Sequence, residues 1–126
     1  MAEIQANGLR THVQRLGEGD PTVVFVHGIA VDNLSSLYFT LAPQVSQHTR
    51  AVLYDLRGHG KTERPATGYT LDDLHDDLAA VLDAEVPGEV PGPGGPAILL
   101  GKSFFEIFPR LLRKIPLPYF QFPDSE

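Results

Sequence analysis

Apolar and polar positions along the chain fall into a few distinct patterns. "LRTHVQRLG" (9–17) alternates loosely, with Leu9, Thr11, Val13 and Arg15 at every second place, and predicts an edge strand. "TVVFVHG" (22–28) is a continuous β-branched and aromatic run that stops at a glycine, the pattern of a strand buried on both faces. "RAVLYDLRGHG" (50–60) predicts a second buried strand running into a glycine-rich loop, and "AILLG" (97–101) a third. Leu37, Leu41 and Val45 fall at helical spacing, with Asn33 or Ser35 able to cap the helix and Pro43 predicting a kink or a break in it.

The helical pattern is clearest in "TLDDLHDDLAAVLDA" (70–84), where Leu71, Leu74, Leu78, Val81 and Leu82 share one face. Thr70 with Asp73 resembles a capping box, early aspartates suit a helix N-terminus, and the other aspartates are expected on the solvated face. "VPGEVPGPGGP" (86–96) is a Pro/Gly-rich loop. Buried strands alternating with amphipathic helix imply crossover connections. The expected architecture is α/β, with five strands, mostly parallel, and three flanking helices.

At 126 residues the chain fits one domain with a small core. Its net charge of -6 argues against general nucleic-acid binding. The absence of cysteine excludes disulfides, thiol catalysis and cysteine metal sites. The segment "MAEIQANGLRTHVQRLGEG" has no apolar signal region, and no apolar run approaches membrane-spanning length. A cytoplasmic protein without an integral membrane segment is therefore expected.

Candidate chemistry centres on Ser103, which follows the third buried strand in "LLGKSFFEIFPRL" (99–111). "VVFVHG", "YDLRGHGKTERP", "YTLDDLHDDLAAVLDA" and "ILLGKS" stand in the order and spacing of an α/β-hydrolase, and the chain resembles that superfamily over about residues 5–103. The resemblance implies hydrolysis of an ester or related acyl bond in a small-molecule substrate. Ser103 would be the nucleophile on a strained strand-to-helix turn, forming an acyl-enzyme without metal or organic cofactor. It implies that the backbone amides of Ile29 and Phe104 hold the developing oxyanion. His27 and Gly28 would turn the chain sharply after one strand. Asp55, Arg57, Gly58, His59 and Gly60 would shape the loop after the next, with His59 structural rather than catalytic. Gly101 would supply the small residue that the elbow needs on its strand side.

The chain departs from that pattern in two places. The elbow of the family reads G-x-S-x-G, whereas here it reads Gly101-Lys102-Ser103-Phe104-Phe105. The triad order is Ser, then Asp or Glu, then His, and no histidine follows Ser103: His12, His27, His48, His59 and His75 all precede it. A serine without a base is a weak nucleophile at neutral pH. The expected fold is thus an incomplete α/β-hydrolase fold ending after the elbow strand, doubtful as an enzyme on its own. The alternative is a non-catalytic pseudoenzyme or interaction chain.

Composition changes at the same point. Five of the seven phenylalanines, Phe104, Phe105, Phe108, Phe120 and Phe122, lie in residues 104–126, with Pro109, Pro116, Pro118 and Pro123. This divides the chain into a hydrolase-like part, 1–103, and a divergent tail, 104–126. The tail reads either as the product of truncation, frame change or splicing, or as a surface-binding segment, with 104–115 open to a membrane-surface helix. Bland readings stand beside the functional ones: Ser103 as a helix N-cap, His27 as a packing residue, His75 as a solvated histidine. Asp72, Asp73, Asp76 and Asp77 read as a charged face rather than a cation site. An apolar strand at 97–101 with an open edge predicts self-association.

Overall fold

The computed structural model describes residues 2–19, 22–28, 33–86 and 97–101. Strands β1 (Ala2–Ala6), β2 (Leu9–Leu16) and β3 (Thr22–Val26) are followed by two short helices, α1 (Ser35–Tyr38) and α2 (Ala42–Val45). Strand β4 (Arg50–Tyr54), helix α3 (Leu71–Glu85) and strand β5 (Ala97–Gly101) complete the described elements. The five strands form one sheet in the order β1-β2-β4-β3-β5. β3 pairs in parallel with β4 and β5, while β2 pairs antiparallel with β1 and β4. The sheet is therefore mixed, with the expected parallel arrangement confined to β4-β3-β5.

The segment read as an edge strand, β2, lies inside the sheet. Residues 2–6 fold back on it through Asn7-Gly8, whose φ angles of 52° and 74° are those of a two-residue hairpin turn. β1 thus takes the edge position, and the loose alternation of β2 reflects cover on both sides.

Connection order decides where the helices lie. From β3 the chain crosses through α1 and α2 to β4, then returns through α3 to β5 on the other side of β3. Two right-handed crossovers running in opposite directions place their helices on opposite faces. Strand parity agrees. Val24, Val26, Val52 and Tyr54 pack against Leu74, Leu78, Val81 and Leu82 of α3. Their neighbours Val23, Phe25, Ala51 and Leu53 pack against Leu34, Leu37 and Ala42.

α3 begins as its sequence predicts. The Thr70 hydroxyl accepts from the Asp73 amide at 3.2 Å and the Asp73 carboxylate accepts from the Thr70 amide at 3.1 Å. The expectation that its remaining aspartates are solvated fails at Asp77, which is buried. Its carboxylate accepts from Arg57 Nε at 2.6 Å, Arg57 Nη2 at 2.8 Å and Asn7 Nδ2 at 2.9 Å. That bidentate pairing is the leading reason the Arg57 pKa is raised. At the other end of α3, buried Glu85 is gripped by Arg15 of β2, and the hydrogen bond raises the Arg15 pKa.

The helix expected over Leu37–Val45 is interrupted. Pro43 sits in the first turn of α2, where its missing N–H costs nothing, and a turn at 39–41 separates α2 from α1. The Asn33 side chain accepts from the Ser35 amide at 2.8 Å. Among the described residues no helix is long and apolar enough to cross a membrane.

Candidate functional site

Register gathers the predicted motif residues at one end of the sheet. Val13 pairs with Tyr54, Tyr54 with Val26, and Val26 with Gly101. One residue further, His12, Asp55 and His27 stand level at the carboxyl ends of the parallel strands. Because the crossover from β3 to β4 and the crossover from β4 to β5 run in opposite directions, this end is a topological switch point between β3 and β5, where open α/β sheets place their ligands. Of the predicted site residues, Gly101 ends β5 and His27 and Gly28 follow β3, so the His27-Gly28 stretch and the end of β5 stand on adjacent strands. Ser103, Ile29 and Phe104 lie outside the described residues.

His27 is buried and both of its nitrogens face backbone. Nε2 accepts from the Leu56 amide at 3.0 Å, which leaves the ring proton on Nδ1, where it is donated to the Gly28 carbonyl at 2.6 Å. The ring is a neutral brace between the ends of β3 and β4. His59 lies beside it, with ring centroids 5.1 Å apart, and its Nδ1 donates to the Arg57 carbonyl at 2.9 Å.

Asp55 is buried at the centre of this end. Oδ2 meets His12 Nδ1 at 2.7 Å and accepts from the Lys61 amide at 3.0 Å; Oδ1 accepts from the Leu34 amide at 2.8 Å. His12 Nε2 is 3.2 Å from Gln14 Nε2, an amide donor, so His12 donates through Nδ1 to the carboxylate. His12 and Asp55 thus form a buried carboxylate–imidazole pair. β2 lies three strand spacings from β5, about 14 Å at ordinary sheet geometry. His27 stands on the strand next to β5, about 5 Å away on the same measure.

The glycines of "DLRGHG" have separate reasons. Gly60 has φ of 51° and abuts the Asp55 carboxylate, where an added Cβ would come within 2.5 Å of Oδ1. Gly58, with φ of 74°, faces the Tyr69 ring, 2.8 Å from where a Cβ would stand. Arg57 of the same motif leaves this end and binds Asp77 beneath α3. Among the described residues no group of three or more histidines and carboxylates could hold a metal ion.

His12 and Thr62 join Asp55 in a polar network that no sequence pattern marks, and Asp77 forms a separate one with Arg57 and Asn7. The Thr62 hydroxyl donates to the Asp55 carbonyl at 2.7 Å and accepts from the His12 amide at 3.0 Å. Asn7-Gly8 was the available signal for the fold-back that places Asn7 against Asp77.

Comparison with known proteins agrees with this geometry. The model of the alpha/beta hydrolase family matches residues 23–104, more than half of the chain. A 2-(acetamidomethylene)succinate hydrolase from Mesorhizobium japonicum is 33% identical over 92 residues, covering 73% of this chain and 30% of that protein. The crystal structure of an epoxide hydrolase from Vigna radiata superposes with a TM-score of 0.68 at 32% identity, covering 81% of this chain and 31% of that one. A deformylase from Pseudomonas putida shares the fold, with a TM-score of 0.73 at 24% identity over 94% of this chain and 43% of that one. The chain spans about a third of the length of the first two. It belongs to the alpha/beta hydrolase family, as a match to the amino-terminal strands and helices of that fold.

Proposed function

We propose that this chain is the nucleophile-bearing part of a serine-type acyl hydrolase acting on a small-molecule ester or related acyl substrate, and that it is inactive alone. The observation that carries the reading is the pairing of Val26 with Gly101, which sets the His27-Gly28 turn and the strand leading to Ser103 side by side at a switch point. On this reading Ser103 attacks the acyl carbon, and the Ile29 and Phe104 amides receive the oxyanion. The part extends to residue 103, with 104–126 a separate tail, and the protein works in the cytoplasm without a cofactor.

The histidines nearest the site support inactivity. His27 is the histidine placed nearest β5 by the register, and its two nitrogens serve the Leu56 amide and the Gly28 carbonyl. His12 is committed to Asp55 and Gln14, three strands from β5. The second reading, a pseudoenzyme that keeps the sheet as an interaction chain, draws on the same engaged imidazoles.

Release of nitrophenol from p-nitrophenyl acetate tests the pair of claims. The chain should turn the ester over no faster than Ser103→Ala. A Ser103-dependent burst would contradict inactivity and give an upstream histidine the role of base. Association is a further part of the proposal: β5 pairs with β3 on one side, and among the described residues no strand pairs with its other edge, which a second chain would take. Light scattering behind size-exclusion chromatography should show dimers or larger species at micromolar concentration, and a sharp monomer peak would contradict it.

A further inference from the structure

We propose that Asp55 is a positioning residue, whose single buried carboxylate sets where Leu34, at the start of α1, stands relative to the loop after β4. The proposal rests on the hydrolase reading only for its consequence, that the segment between β3 and α1 carries the Ile29 amide. Both ends of the segment are fastened to consecutive residues beyond β4. At its start, His27 Nε2 accepts from the Leu56 amide at 3.0 Å while Nδ1 holds the Gly28 carbonyl at 2.6 Å. At its far end, the Leu34 amide donates to Asp55 Oδ1 at 2.8 Å.

The other carboxylate oxygen fastens the second loop. Oδ2 accepts from the Lys61 amide at 3.0 Å and from His12 Nδ1 at 2.7 Å, so one side chain fixes the spacing of two loops and a neighbouring strand. Gly60 closes over the carboxylate: an added Cβ would lie 2.3 Å from its Cγ and Oδ2. The glycine is thus required by the anchor as well as by its own φ of 51°. Hydrogen bonds to a buried carboxylate are charge-assisted, and each amide left without its acceptor would be stranded away from water.

A residue that only contributed to overall stability would, on removal, speed exchange of all core amides alike. A positioning residue releases its own two amides beyond that common change. Backbone hydrogen exchange followed by NMR on the full chain separates these, with Asp55→Asn, Gly60→Ala and, as a control in α3, Val81→Ala. In Gly60→Ala the Leu34 and Lys61 amides should exchange at least about tenfold faster than the common change in β3 and β4 accounts for. Asp55→Asn keeps a carbonyl oxygen for Leu34 and should release Lys61 selectively. Val81→Ala should move all these amides together. If both loop variants change every amide in parallel, as Val81→Ala does, the proposal is overturned. Should neither variant fold, the wild-type chain decides: the Leu34 and Lys61 amides should each be protected well beyond an unbonded loop amide, and exchange of either at the rate of an unbonded amide overturns the proposal. None of these readouts uses Ser103, so loss of the hydrolase reading and loss of this one are separable.

Discussion

The two faces of the sheet are covered in different ways. On one face lies α3, a 15-residue helix with a reciprocal capping box, four apolar anchors and two buried acidic residues held by arginines. On the other lie α1 and α2, of four residues each, without a side-chain hydrogen bond from either N-cap residue. Under α3, Leu78, Val81 and Leu82 are fully buried, while the second layer leaves Phe39 77% and Leu41 48% exposed beside its small core. β3 is buried throughout and β4 from Ala51 to Tyr54, so the difference lies in the covering layers. Helices this short gain little from internal hydrogen bonding and depend on tertiary packing. Of the covering helices, α3 should therefore contribute more to stability, through Leu74, Leu78, Val81 and Leu82, than α1 and α2 through Leu37 and Ala42.

The largest effect expected is at Asp77. Asp77→Ala leaves the Arg57 guanidinium buried without its bidentate partner, and breaking such a pair costs about 3–5 kcal/mol in urea unfolding. Next comes the direct contrast between faces. Leu78→Ala removes a fully buried side chain and should cost about 2–5 kcal/mol, while Phe39→Ser should stay within about 0.5 kcal/mol. Equal losses at Leu78 and Phe39 would break the comparison, since they would show Phe39 covered.

The smallest effect concerns the cap. The Thr70 hydroxyl, and then its amide, hold the Asp73 carboxyl below the usual carboxylate range. A depressed acid contributes stability above its unfolded pKa and loses it as pH falls through the folded value. Thr70→Ala should cost about 1 kcal/mol at neutral pH. The gap between variant and wild type in chemical denaturation should narrow as pH falls below 4 or so. A gap independent of pH would detach Asp73 from the cap.

Much of this was legible because local chemistry and global packing agree there. Unbroken apolar runs marked β3, β4 and β5, and Thr70 with Asp73 marked the start of α3. Pro43 announced an interruption but not its form, two helices separated by a turn. The buried charges were not legible: Asp77 and Glu85 look like the solvated aspartates around them until Arg57 and Arg15 arrive from 20 and 70 residues away. Asp55 was visible as part of "DLRGHG", yet its role depends on three partners from different elements, which no local pattern encodes. The Asn7-Gly8 turn was readable from two residues and settles which strand is the edge.

The placement of β5 beside β3 brings the strand leading to Ser103 next to the His27-Gly28 turn, and the site depends on it. Backbone proton NOEs in an isotope-labelled sample of the chain test it directly. The account predicts a parallel pattern in β3 and β5 with Val24 opposite Leu99 and Val26 opposite Gly101. An antiparallel pattern, or β5 paired with another strand, would contradict the switch point and the site built on it.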